Sequence, residues 1–218
     1  TIVLATGNKD KVRELKPVLE GLASGIHVRS LHDLGLDIDV EETEPTLEGN
    51  ARLKAEAIFE LVAPRLDCFI ALADDTGLEV TALDGAPGVY SARYAPVPEG
   101  ATRTYEDNVR HLLAQMRGKS ERSACFRTVI AMKGRLPEAK GGAMLFDETT
   151  DGHVDGLITT EPQGDGGFGY DPVFAPEGME RTFAQLTIDE KNRISHRGRA
   201  VVAAAKRIGE LLSQCGIQ

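Results

Sequence analysis

Apolar positions along the chain recur with two different periods, and the two alternate. Ile2-Val3-Leu4-Ala5 is a short unbroken run and reads as a buried strand. After the turn Thr6-Gly7-Asn8, the residues Val12, Leu15, Leu19 and Leu22 fall every three or four positions, which predicts a helix over Lys9 to Leu22. Thr46 is placed to cap a second helix with Leu47, Ala51, Ala55, Ile58 and Val62 on one face. Phe69 to Ala73 and Leu78 to Leu83 read as two further strands, and Asp84 to Gly88 as a turn. Tyr105 to Met116 has helical spacing, with Val109, Leu112 and Met116 inward. Ala124 to Met132, Ala143 to Phe146 and Gly156 to Thr160 read as strands. Ser195 opens a last helix carrying Ala200, Ala203, Ala204, Ile208 and Leu211. Strands and helices alternate at both ends, so the expected class is α/β. No repeat or low-complexity linker interrupts the pattern.

Length and composition narrow this further. With 218 residues the chain is one large domain or two small lobes, and composition marks no boundary between lobes. Its 41% hydrophobic and 27% charged residues are ordinary for a folded soluble protein. No apolar run approaches the ~20 residues of a membrane helix. Thr1 to Ala5 has no basic region before it and is not read as a signal peptide, so the expected location is cytoplasmic. Cys68, Cys125 and Cys215 are far apart and odd in number, which argues against a disulfide framework or a structural zinc; each reads as a small apolar residue. A net charge of −9 argues against nucleic acid as a partner. The charge is unevenly spread. Asp37 to Glu48 holds six acids and no Lys or Arg, whereas Arg181 to Arg207 holds seven bases and two acids. Such a pair of stretches suits a metal-bound phosphate, or two solvated faces.

Five short stretches carry candidate chemistry. Thr6-Gly7-Asn8-Lys9-Asp10-Lys11 follows a strand and opens a helix, where free N–H groups and the helix dipole attract anions; the alternative is a plain capped turn. Asp74-Asp75-Thr76-Gly77 stands at the carboxyl end of an apolar strand, where a carboxylate ligates Mg²⁺ or orients a water; the alternative is an Asx-type turn. The acidic stretch with Glu41, Glu42 and Glu44, followed by Lys54, offers a second carboxylate or a solvated loop. In Gly166-Gly167-Phe168-Gly169-Tyr170-Asp171-Pro172, glycines flank an aromatic that either stacks on a nucleobase or tucks into the core. Lys191 with Ser195-His196-Arg197-Gly198 puts cations into the first turn of a helix, against its dipole, so a ligand or an exposed basic turn is expected there.

Taken in order, these stretches resemble the inosine triphosphate pyrophosphatase family. The resemblance rests on Ala5-Thr6-Gly7-Asn8 with Lys11, Glu48-Gly49-Asn50-Ala51 with Lys54-Ala55, and Ala73-Asp74-Asp75-Thr76-Gly77-Leu78. It continues with Gly85-Ala86-Pro87-Gly88, Tyr90-Ser91-Ala92-Arg93-Tyr94, the Gly166 to Pro172 loop, and Lys191 with Ser195 to Gly198, and it spans residue 2 to about residue 212. It implies an elongated two-lobed fold around a long central mixed sheet, forming a single domain over 1–218 with the active-site cleft between the lobes. It implies a homodimer, a Mg²⁺ requirement, and hydrolysis of ITP, dITP and XTP to the monophosphate and pyrophosphate. Carried over by position, Thr6, Gly7, Asn8, Lys9, Asp10 and Lys11 match the triphosphate turn, and Asp75 the general base and metal ligand. Lys54 and Thr76 match substrate contacts, as do Phe168, Gly169, Tyr170 and Asp171 of the base loop and Lys191, His196 and Arg197. Glu42 is the best match for the second metal carboxylate, with Glu41 adjacent. Bacterial members of the family usually have Ser where Thr76 stands, which keeps the hydroxyl, and Pro96 to Thr104 is longer than usual.

For this family's substrates, selection must come from the base. Hypoxanthine and xanthine present a keto acceptor and an N1–H donor, and adenine presents the reverse. Donors such as His196, Arg197 or Lys191 would be left unpaired by adenine. With Arg197 in that role, its removal is expected to change selectivity more than stability. The competing readings are a phosphatase or pyrophosphatase acting on another nucleotide, and a non-catalytic nucleotide sensor.

Overall fold

The computed structural model describes residues 1–21, 26–138 and 141–217. Its strands form a seven-stranded sheet in which β1 (Ile2–Leu4) lies between β2 (Val28–Ser30) and β3 (Phe69–Val80). The order continues through β5 (Ser123–Pro137) and β6 (Ala143–Ile158) to β7 (Phe174–Pro176), and the two-residue β4 (Pro87–Gly88) pairs with β3. β1 is parallel to both β2 and β3, while β3–β4 and β6–β7 are antiparallel, so the sheet is mixed. The helices among the described residues are α1 (Lys9–Glu20), α2 (Leu47–Val62), α3 (Tyr105–Gln115), α4 (Ile188–Ile194) and α5 (His196–Gln214). None of them is long and apolar enough to cross a membrane.

The expected α1, α2, α3 and α5 are present. Leu22, expected at the end of α1, lies outside the described residues. Thr46 caps α2 as its sequence suggests, its hydroxyl accepting from Gly49 N at 3.0 Å. Two expectations are corrected. The residues from Asp74 to Gly77 are not a turn between strands: β3 runs unbroken through them, and Thr81–Leu83 is a 3-10 turn. The strands expected at Ala143–Phe146 and Gly156–Thr160 are likewise one strand, β6. In β3 the polar residues read as a break, but tertiary partners cover them; in β6 they form the exposed side of a strand that alternates with buried positions. The cysteines also differ: Cys215 is buried as expected, but Cys68 is exposed. Cys125 is half-buried, and burial with the neighbouring Asp155 pushes its thiol up to about 12, which leaves it inert at neutral pH.

The chain divides into two compact units. The first comprises Thr1–Asp75, Thr128–Gly152 and Arg197–Gln218; the second comprises Thr76–Arg127 and His153–His196. Each has its own apolar core. In the first, Leu4, Leu15, Leu19, Ile70, Leu72, Ile130, Ala204 and Ile208 pack together. In the second, Leu78, Leu112, Met116, Phe126, Val173, Phe174 and Phe183 do so. The chain passes between the units four times, and two of these crossings, Asp75–Thr76 and His196–Arg197, fall inside stretches that carry candidate chemistry.

Candidate active site

In the first unit the site begins at the turn after β1. Asn8 caps α1, its Oδ1 accepting from Asp10 N (2.9 Å) and Lys11 N (3.3 Å), while Asn8 N donates to Thr6 Oγ1 (3.1 Å). These amides are therefore already satisfied by the turn itself, and charge at this end comes from Lys11. Its Nζ lies 3.1 Å from Asp74 Oδ2 and donates to Asp74 O at 3.3 Å. Lys9 is exposed, and Asp10 pairs with Arg13 on the surface, so neither joins the cluster.

β3 then separates its two acids by the alternation of a strand. Ile70 and Leu72 face the core that α1 and α5 share, and Asp74 follows them on that side. There it meets Lys11 and Arg197 Nε (3.2 Å). Arg197 Nη1 donates in turn to Glu14 Oε2 at 2.5 Å. Burial opposes the charge on Asp74, but Lys11, Arg197 and Lys54 hold its carboxyl well below the usual range. Lys11 is lowered, because burial and the cations Lys54 and Arg197 outweigh its share of Asp74. Both partners of this ion pair shift downward, Lys11 chiefly through burial and Asp74 because one carboxylate serves several cations.

Asp75 faces the other way, toward α2. Its Oδ1 accepts from Lys54 Nζ at 2.7 Å, and the same ammonium donates to Glu42 Oε1 at 3.0 Å. Glu42, not its exposed neighbour Glu41, therefore reaches Lys54. Burial pushes the Asp75 carboxyl up to about 6 in spite of Lys54. Burial also opposes the charge on Lys54, but Asp75 and Glu42 outweigh it and its pKa is raised. Asp75 Oδ2 is buried and accepts no hydrogen bond among the described residues. A buried carboxylate oxygen without a partner carries a desolvation cost that a cation or a water would offset. Two hard-oxygen donors on one ammonium, one of them with that spare oxygen, fit a divalent cation of the Mg²⁺ class.

The second unit holds a different cluster. Asp171 Oδ2 accepts from Phe168 N (2.8 Å) and from Lys191 Nζ (2.6 Å), and Lys191 Nζ lies 4.8 Å from the centre of the Phe168 ring. Gly167 makes this closure possible. It has φ +68°, and a Cβ there would lie 2.0 Å from Asp171 Oδ2. The half-buried Phe168 is thus held at the loop and not in the core. Tyr170 is the loop's anchor. It is buried in the core, and its hydroxyl donates to Ser91 O at 2.8 Å. His196 is also packed inward, its ring stacked on Phe126 at 4.5 Å and 17°. Gly169 supplies a left-handed turn (φ +63°), and Thr76 is a half-buried residue of β3.

Arg197 departs most from expectation. It does stand in the first turn of α5, but it is buried, and the carboxylates of Asp74 and Glu14 offset the conflict with the dipole. Burial opposes its charge, yet those carboxylates raise its pKa. Sequence reasoning misses Glu14, which looks like a surface position of an amphipathic helix; only its burial beside Arg197 identifies it. Asp74 does lie in a candidate stretch, but no local pattern marks it as the acid that gathers Lys11 and Arg197. The short helix α4, which carries Lys191, does have a local signal: Thr187 and Glu190 form a capping box, the S/T-x-x-E pattern.

Comparison with known proteins identifies the family. The chain is 88% identical over 218 residues to a dITP/XTP pyrophosphatase of Chlorobaculum tepidum, covering all of this chain and 96% of that protein. It is 41% identical over 212 residues to a dITP/XTP pyrophosphatase of Bacillus subtilis, covering 96% of each. Among solved structures, the Staphylococcus aureus Ham1 protein superposes with a TM-score of 0.76 at 37% identity, covering 95% of this chain and 97% of that one. The family model described as the Ham1 family matches residues 2–207, and the chain belongs to the Ham1 family.

Proposed function

We propose that this protein is a Mg²⁺-dependent pyrophosphohydrolase that cleaves non-standard purine nucleoside triphosphates (ITP, dITP and XTP) to the monophosphate and pyrophosphate. The observation that carries the chemistry is the Lys54 ammonium shared by Asp75 and Glu42, with Asp75 Oδ2 buried and without a hydrogen-bond partner among the described residues. The substrate class rests on the second unit's cluster and on the activity named for the similar proteins.

A triphosphate brings several negative charges, so the first task is to match them without water. Lys11 and Lys54 provide positive charge, and Thr6 and Asn8 shape the turn beside Lys11. A divalent cation held by Asp75 and Glu42 would neutralise phosphate oxygens and make the phosphorus more open to attack. Asp75 orients the attacking water and takes its proton. Water oxygen bonds to phosphorus, the α–β anhydride P–O bond breaks, and the leaving group, pyrophosphate or the nucleoside monophosphate, keeps the electron pair.

At the base end, Phe168 offers a ring face for stacking. Lys191 is a donor and Asp171 an acceptor, already side by side. That pair complements the keto acceptor and N1–H donor of hypoxanthine and xanthine, and adenine presents both groups reversed. Adenine would set its amino donor against the Lys191 ammonium and its N1 acceptor against the Asp171 carboxylate, which disfavours it relative to hypoxanthine and xanthine. A cytoplasmic homodimer completes the reading, the dimer being measured by light scattering.

The test is a panel of ITP, dITP, XTP, GTP and ATP, with pyrophosphate and orthophosphate assayed separately, with Mg²⁺ and with chelator. Pyrophosphate release favouring ITP, dITP and XTP and lost on chelation is expected. Orthophosphate as the first product, or equal turnover of ATP, would overturn the reading.

A further inference from the structure

Tyr105 is an aromatic residue that the core does not explain. It opens α3 and remains 41% exposed. Its ring centre lies 5.8 Å from that of Phe168, with the planes tilted by 42°. Aromatic pairs at this separation attract beyond their buried area.

The two rings differ in how firmly the chain holds them. Phe168 stands between Gly167 and Gly169, both with positive φ, on a loop without regular structure. The bond from Phe168 N to Asp171 pins the backbone but leaves the side-chain rotamer to the neighbours of the ring. Tyr105 by contrast stands on a fixed post. Thr104 and Asp107 form a capping box at the start of α3, with Asp107 N on Thr104 Oγ1 at 3.1 Å and Thr104 N on Asp107 Oδ2 at 3.0 Å. One turn on, buried Asn108 ties the helix to the preceding loop through Ala95 N (2.8 Å) and Ala92 O (3.1 Å). Both rings line one cavity of about 1000 Å³, together with Val109, Leu113 and Pro172. A ring at the edge of such a space has room to change rotamer, and Tyr105 is an aromatic neighbour that opposes it, beside the Lys191 ammonium 4.8 Å from the ring centre.

We infer that Tyr105 is a positioning residue for the base site: its ring holds the Phe168 ring in the orientation on which the purine stacks. This rests on the reading that Phe168 stacks on the base. Without Tyr105 the Phe168 ring samples further rotamers, and binding must order it again. Fixing one side chain typically changes affinity by about 3- to 10-fold.

The test is a double-mutant cycle with ITP at saturating Mg²⁺, using Tyr105→Ala, Tyr105→Phe, Phe168→Ala and the double alanine variant. Tyr105→Ala is expected to raise KM by about 3- to 10-fold, to leave kcat within about twofold, and to leave Tm nearly unchanged. Tyr105→Phe, which keeps the ring, restores KM. In the Phe168→Ala background, removing Tyr105 adds nothing, because the ring it holds is gone. A normal KM in Tyr105→Ala beside a raised KM in Phe168→Ala overturns the inference alone. Additive losses overturn it as well, and assign Tyr105 a direct contact with the substrate. A large fall in Tm with kcat falling alongside would make Tyr105 merely structural. If Phe168→Ala itself leaves KM unchanged, the base-stacking reading fails, and the inference fails with it.

Discussion

Asp74 and Asp75 are identical side chains one peptide bond apart, and their surroundings drive them in opposite directions. Asp74 is held below the usual carboxylate range by three cations, while Asp75 is pushed up to about 6 by burial. Pairs of carboxyls set apart in this way mark acid–base assignments. Asp75→Asn is expected to abolish pyrophosphate release while nucleotide binding persists. Near wild-type turnover in that variant would sink the assignment. The same substitution should stabilise the metal-free protein. A carboxyl raised from 3.8 to about 6 favours the folded state fully below pH 3.8, and that contribution is lost as the pH rises through about 6. The amide never carries the charge, so its advantage is greatest above pH 6. There it amounts to something on the order of 1–3 kcal/mol, since each tenfold change in proton affinity is worth about 1.4 kcal/mol. Thermal melts with chelator at pH 7.5 and pH 4 check it: the gap should shrink at the lower pH.

At the scale of elements, Asp74 ties three of them together within the first unit. Lys11 comes from α1, Asp74 from β3 and Arg197 from α5, with Glu14 of α1 closing the set. Removing one member leaves buried charge uncompensated, which costs about 3–5 kcal/mol. Asp74→Asn should therefore lose stability at neutral pH as well as activity. A carboxyl lowered in the folded state contributes stability above its unfolded pKa of 3.8 and loses it as the pH falls through the lowered value, so the wild-type advantage should disappear in acid. Equal urea midpoints for Asp74→Asn and wild type at pH 7 would contradict the network. Arg197→Ala should behave alike, falling in stability, where a residue that only reads the base would alter selectivity alone. The elements themselves were legible where one physical signal dominated. Thr46 before Leu47, Ala51, Ala55 and Ile58 specifies both the start and the buried face of α2. β3 was not legible as one strand, because Asp-Asp-Thr-Gly is good turn chemistry until Lys11, Arg197 and Lys54 are brought against it.

At the scale of the whole molecule, two apolar cores each support one cluster of candidate site residues. Leu72 is fully buried in the first core and Leu112 in the second. Leu72→Ala and Leu112→Ala should each cost about 2–5 kcal/mol in urea unfolding. A silent result for either would remove that residue from the core.

What the chain determined by itself is local: the helix caps, the amphipathic faces, the glycine loop around Phe168, and the order of motifs that identifies the family. These depend on neighbours within a few residues, where spacing and side-chain type are sufficient. Tertiary structure alone decided which charged groups meet. Glu14 lies 183 positions from Arg197, and Asp74 lies 63 from Lys11. No periodicity encodes such pairings, because they follow from strands and helices packing. It also decided that Arg197 is buried between carboxylates, that Tyr170 and His196 pack into a core, and that Glu42 shares an ammonium with Asp75. Each of these outcomes depends on desolvation, which exists only once the chain has folded around the charge.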